Sequence, residues 1–140
     1  RDGVAYEAKL QHPLGVHFIP EKNVILIADT YNHKVKVLDP FRNEAFSWLG
    51  GSDTPSLSLR DGTTSHSAFN EPQGVASLFD EQQQDVRVYI CDTNNHCIRT
   101  CYYDVGLVST CVFKGVPAAS VEKQDRSSEI TAKKRDAAKG

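Results

Sequence analysis

The chain has 140 residues, with 16 Lys and Arg against 18 Asp and Glu and a formal net charge of −2. That length suits one modest domain, and a near-balanced charge with no basic stripe argues against nucleic acid or an anionic membrane surface as the partner. Apolar runs such as Val24-Ile25-Leu26-Ile27-Ala28 are far too short to span a bilayer. Met is absent and residue 1 is an arginine in a polar stretch without signal-peptide character, so the chain is expected to be a fragment of a longer protein.

Taken in order, Arg1-Asp2-Gly3 opens the chain and His12-Pro13-Leu14-Gly15-Val16 leads into a β-rich stretch. Strands are predicted over about 15–18, 24–29, 34–39 and 45–49. Pro20-Glu21-Lys22-Asn23, Asp29-Thr30-Tyr31-Asn32-His33 and Pro40-Phe41-Arg42-Asn43 supply the turns. A Ser/Thr/Gly-rich linker covers 50–67, and then the pattern returns. Arg60-Asp61-Gly62 and Glu71-Pro72-Gln73-Gly74-Val75 each lie 59 residues after their first copies (60 − 1 and 72 − 13), whereas Asp92 and Asn95-His96 lie 63 after theirs (92 − 29). The four extra residues are expected in the polar stretch Asp80-Glu81-Gln82-Gln83-Gln84-Asp85, as a lengthened surface loop.

Second-copy strands are predicted over about 74–78, 86–92, 97–103 and 107–113. Four short antiparallel strands written twice follow the pattern of β-propeller blades, and runs apolar on both faces suit sheets covered on both sides. The predicted fold class is therefore all-β, two four-stranded blades of an incomplete propeller, divided as 1–58, 59–115 and a polar tail over 116–140. The tail holds too little apolar area to offset ordering entropy, so it is expected to be disordered, with a marginal helix over 129–139 as the alternative.

Pro-x-Gly-Val, Ala/Cys-Asp-Thr-x-Asn-His and the Arg-Asp-Gly linker together resemble NHL-repeat propellers over roughly residues 1–113. The literal Asn-His-Leu is absent, with Lys34 and Cys97 in the Leu position. The resemblance implies a propeller of about six blades, a thioredoxin-like domain elsewhere in the full-length chain, a cytoplasmic setting and no reaction in the blades themselves.

Asp29 and Asp92, with Asn32, His33, Asn95 and His96, are the candidate chemical residues, since propeller lyases and lactonases gather carboxylates and histidines at a channel mouth. A catalytic centre is built once from unlike residues, whereas a structural device is stamped into every repeat. The six are therefore read as a structural turn signature: the aspartates accept bonds from turn amides, the asparagines take a left-handed conformation, and the histidine rings pack on the turn backbone. No catalytic, metal or cofactor residue is assigned. His12, His17 and His66 lack ligand spacing, and Leu49-Gly50-Gly51-Ser52-Asp53 lacks a phosphate-loop lysine.

Cys91, Cys97, Cys101 and Cys111 form no C-x-x-C. If residues 93–96 form the turn, Cys91 and Cys97 point to opposite faces, and Cys97 and Cys101 lie about 13 Å apart along one strand. All four are expected to be free and buried, with a disulfide through Cys111 as the alternative. Trp48, Phe46 and Phe69 are expected to pack between blades.

The function expected from the sequence is a non-enzymatic protein-interaction scaffold, with an unidentified protein partner and no cofactor. A metal-dependent lyase or lactonase and a single-stranded-RNA binder are the alternatives. The first would need a mixed metal-binding cluster, and the second a basic, aromatic-bearing face. Two blades alone leave apolar faces bare, so the chain is expected to aggregate or dimerise.

Overall fold

A computed structural model describes residues 1–4, 6–51 and 59–114. The expectations for the tail over 116–140 lie outside the described residues. Strands β1 (Gly3–Val4), β2 (Pro13–Ile19), β3 (Val24–Asp29), β4 (Lys34–Asp39) and β5 (Glu44–Leu49) build one antiparallel sheet. Strands β6 (Gly62–Thr63), β7 (Pro72–Asp80), β8 (Asp85–Asp92), β9 (Cys97–Tyr102) and β10 (Leu107–Thr110) build the other. Both sheets have one order, β1-β5-β4-β3-β2 and β6-β10-β9-β8-β7. The four-strand expectation is thus corrected to five. The Arg-Asp-Gly segments pair with the last strand of their sheets, as Gly3 with Ala45 and Gly62 with Val108. A two-residue strand leaves no periodicity in the sequence, so this edge arises only from tertiary pairing.

The hairpin turns occupy four residues in both sheets, 20–23 and 81–84, each closed by a left-handed residue, Asn23 or Gln84. The four extra residues of the second copy therefore do not lengthen a loop. They add two rungs to the hairpin, Phe79 opposite Val86 and Asp80 opposite Asp85. Alternation continues through these rungs, so the ladder extends at no cost in register.

The two sheets stack through unlike faces. Leu26, Val35, Val37 and Leu49 of the first meet Val86, Val88, Ile90, Cys101 and Val108 of the second in one buried cluster. Gly15 lies so close to the second sheet that a Cβ there would collide with the Gln73 carbonyl oxygen. Around this seam Thr30 Oγ1 donates to the Pro72 carbonyl at 2.8 Å and His17 Nε2 meets Ser77 Oγ at 2.7 Å. Lys22 Nζ donates to Asp104 at 2.6 Å, and the Trp48 and Tyr103 rings are 4.9 Å apart. No helix among the described residues is long and apolar enough to cross a membrane.

Candidate functional site

Asp29 ends β3 and Asp92 ends β8, and both are fully buried. Asp29 pairs with Lys34 and Ile27 with Lys36 across β3 and β4, so Asp29 and Lys36 sit diagonally on one face. Asp92 and Arg99 stand in the same relation across β8 and β9. Asp29 accepts the Gln11 N–H at 2.6 Å and the Asn32 amide at 2.8 Å, with Lys36 Nζ 3.7 Å away. Asp92 accepts the Asn70 N–H at 2.7 Å, the Asn95 amide at 2.9 Å and Arg99 Nη1 at 2.8 Å.

The basic residue then joins the corner to the Arg-Asp-Gly segment. Lys36 Nζ donates to Asp2 at 2.9 Å and to the Arg1 and Lys9 carbonyls at 3.0 and 3.3 Å. Arg99 donates to Asp61 and to the Arg60 carbonyl, both at 2.7 Å, and to the Ala68 carbonyl at 2.9 Å. Its Nε is left without an acceptor. Asp2 also accepts the Ser47 N–H at 2.8 Å, and Asp61 the Thr110 N–H at 3.2 Å. Burial raises the pKa of Asp2, but the Ser47 N–H and Lys36 outweigh it and bring the carboxyl below its usual value. Asp61 is lowered likewise, with burial opposed by Thr110 and Arg99.

A buried charge is tolerated only when paired and hydrogen-bonded, and these networks meet that demand in both sheets. Chemically, each arrangement clamps three segments together: the sheet edge, the hairpin corner and the lead-in to the first long strand. The carboxylate oxygens of Asp29 and Asp92 are both engaged, so neither offers a free base toward solvent.

Three details of the expected turn are corrected. The left-handed residues are His33 and His96, at φ 55° and 54°, because a 3₁₀ turn occupies Thr30–Asn32 and Thr93–Asn95 and leaves the next residue to reverse the chain. The backbone N–H groups that bond the aspartates come from the lead-in residues Gln11 and Asn70, while the turn contributes the Asn32 and Asn95 side-chain amides. The His33 ring reaches across the seam, where Nδ1 accepts the Glu71 N–H of the second sheet at 3.0 Å. Lys36, Arg99, Asp2 and Asp61 went unassigned in the sequence. Their signal was a basic residue seven positions after each turn aspartate, inside an otherwise apolar alternation, together with the twice-written Arg-Asp-Gly.

All four cysteines are free, but only Cys101 is buried; Cys91 is exposed and Cys97 and Cys111 are half-buried, which corrects the expectation of four buried thiols. Cys91 faces Ile98 and Asp92 faces Cys97, the register that sets Cys91 and Cys97 on opposite faces. Burial pushes the Cys101 thiol up to about 12. Burial also raises Cys97. Cys91, Cys97, Cys111 and His96 line an open cavity of about 350 Å³ at the far end of the second sheet. No group of three or more His, Cys, Asp or Glu among the described residues could hold a metal ion. Phe69 is fully buried under the Arg99 guanidinium, 4.9 Å from its ring, whereas Phe46 is 43% exposed.

Two stacked antiparallel sheets, each carrying the same polar clamp and joined through unlike faces, define a repeat protein built of blade-like units. No protein-family profile matches the chain. NHL repeat-containing protein 2 of Homo sapiens is 39% identical over 108 residues, covering 77% of this chain and 14% of the relative. Protein SUPPRESSOR OF QUENCHING 1, chloroplastic, of Arabidopsis thaliana is 37% identical over 98 residues, 70% of this chain and 8% of the relative. A crystal structure of an auxiliary nutrient binding protein from Bacteroides ovatus superposes with a TM-score of 0.59 at 23% identity, over 79% of this chain and 26% of that one, a likeness of fold. The chain belongs to the NHL-repeat family. It spans about 14% of the length of the human relative.

Proposed function

We propose that the chain is a non-enzymatic protein-interaction module: two blades of a propeller of about six, within a longer cytoplasmic protein that also carries a thioredoxin-like domain. One observation carries this reading. The residues that could have formed a reactive centre occur as two copies of one device, and each copy spends its polar atoms internally on the Asp29–Lys36–Asp2 or Asp92–Arg99–Asp61 network. A site that acts on a substrate needs unsatisfied groups converging on open space. Here the convergence is inward, and the exposed surface is left to bind partners through its loops.

The test pairs elemental analysis of the purified chain with a capture experiment. No stoichiometric zinc or calcium is expected, and one metal per chain would overturn the proposal in favour of a lyase or lactonase. A salt-dependent shift of labelled single-stranded RNA would overturn it in favour of the nucleic-acid alternative. In capture, a protein retained by the intact chain should be lost when the two added rungs, Phe79 with Val86 and Asp80 with Asp85, are deleted. Retention unchanged by that deletion would place binding elsewhere than the hairpin tip.

A further inference from the structure

The aspartates at the exposed end of each clamp differ from those at its buried end in the residue that follows them. Asp29 and Asp92 precede Thr30 and Thr93, whose branched side chains crowd the next backbone nitrogen. Asp2 and Asp61 precede Gly3 and Gly62, and no other aspartate of the chain precedes a glycine. Both members of the pair are required. The aspartate supplies a second carboxylate to Lys36 or Arg99. The glycine sits at φ 143° or 144°, and a Cβ there would meet nothing closer than 3.6 Å, so the dihedral and not the space demands it.

Asp-Gly is also the pair at which a peptide chain rearranges most readily, because no side chain hinders attack by the glycine nitrogen on the aspartyl Cγ. An N–Cγ bond forms as the Cγ–OH bond of the protonated carboxyl breaks, and water leaves with the proton of the nitrogen. Water then opens the five-membered imide at the main-chain carbonyl. The glycine nitrogen stays bonded to Cγ and the α-carboxyl is freed, so the product keeps the same mass and gains one backbone atom.

Ring closure needs a proton on the carboxyl and freedom for it to turn. At Asp61, Oδ1 accepts Arg99 Nη2 at 2.7 Å and the Thr110 hydroxyl at 2.9 Å, and Oδ2 accepts the Thr110 N–H at 3.2 Å. Burial favours the protonated acid, but Thr110 and Arg99 outweigh it and hold the carboxyl below its usual range. Water reaches the site, since the Asp61 side chain is 49% exposed. Asp2 is held in the same way by Lys36 and by the N–H and hydroxyl of Ser47.

We propose that Asp61-Gly62 is a modification site, a latent point of spontaneous aspartyl isomerisation that Arg99 and Thr110 hold shut, with Asp2-Gly3 its counterpart under Lys36 and Ser47. Isomerisation lengthens the backbone just ahead of the pairing of Gly62 with Val108. It also carries the carboxylate away from Arg99, which then keeps Asp92 as the remaining carboxylate of its clamp. One event therefore loosens the edge strand and weakens the clamp together. The ion pair sets the chemical lifetime of the sheet as well as its fold, and the inference depends on that pair and not on the interaction role proposed above.

The test incubates the purified chain at neutral pH and physiological temperature and locates isoaspartate by peptide mapping with electron-transfer fragmentation, which separates isomers of equal mass. Folded wild type should isomerise at both sites more slowly than the same chain in urea. Arg99→Met should raise the rate at Asp61 about 3- to 10-fold, the weight of one half-exposed charge-assisted bond, and leave Asp2 unchanged. Lys36→Met should do the converse, so each site is the control for the other. Thr110→Val keeps Arg99 in place and removes only an exposed bond, so it decides the case if a larger change unfolds the chain. It too should raise Asp61 alone. Equal rates in folded and urea-unfolded wild type, an Asp61 rate that neither Arg99→Met nor Thr110→Val changes, or a Thr110→Val variant in which Asp2 and Asp61 accelerate together would each overturn the inference.

Discussion

Replacing Arg99 by Met keeps much of the side-chain volume and removes the charge that joins three segments of the second sheet. Arg99 is fully buried and bonds Asp92, Asp61 and the carbonyls of Arg60 and Ala68. In the variant, Asp92 keeps the Asn70 N–H and the Asn95 amide but loses the Arg99 cation, while remaining fully buried. Stranding one member of a buried pair costs about 3–5 kcal/mol, against a total domain stability of ~5–15 kcal/mol. Asp61 is half exposed and can return to water, so it adds little to that loss. Arg99→Lys copies the first sheet, where Lys36 reaches the same set of partners through one nitrogen. It keeps the charge and gives up the two-pronged geometry, at about 1–2 kcal/mol. Urea unfolding followed by far-ultraviolet circular dichroism reads both variants, provided the denaturant slope is unchanged. A cost below ~1 kcal/mol for Arg99→Met would refute the claim that the buried charge organises the sheet, and a Lys variant as damaged as the Met variant would refute the pairing argument.

Three further outcomes follow from the same geometry. Asp2 and Asp61 have depressed pKa values, so the stability they contribute is present above the unfolded value near ~4 and is lost as pH falls through the lower folded values. Asp61→Asn should therefore flatten the acid limb of a melting-temperature profile below pH ~4, and an unchanged slope would contradict this. Cys101, with its pKa pushed up to about 12, should resist a thiol reagent at neutral pH until the chain unfolds, whereas exposed Cys91 reacts in the native state; native-state labelling of Cys101 ahead of Cys91 would count against the burial. Gly15→Ala should cost about 1–3 kcal/mol because its methyl meets the Gln73 carbonyl across the seam, whereas the Gly74→Ala methyl meets only the Cys91 sulfur at 3.2 Å and should cost less. Equal urea midpoints for the two alanine variants would show that the seam is looser than its geometry requires.

Much of the architecture was legible in the chain because it was written twice. The strand over 24–29 is an unbroken apolar run and that over 34–39 carries a two-residue period, and the turns between such strands carry Asp and Asn, whose side chains bond at short range. Local chemistry of that kind needs no knowledge of distant residues. Asp29 with Asn32 and Asp92 with Asn95 were therefore visible as corners, and the Cys91–Ile98 register followed from counting across the turn.

Contacts between residues far apart in sequence could only come from the tertiary structure. The bond from Lys36 to Asp2 and that from Arg99 to Asp61 each bridge more than thirty residues, and without the fold a lysine or arginine in an alternating strand reads as a solvent-facing residue. The fifth strand of each sheet is two residues long, too short to show a period, and it exists because β5 or β10 offers it an edge. His33 shows the division most plainly. Its place in the turn was set by its neighbours in the chain, but its ring bonds Glu71, 38 residues away, and that pairing exists only once the two sheets have met.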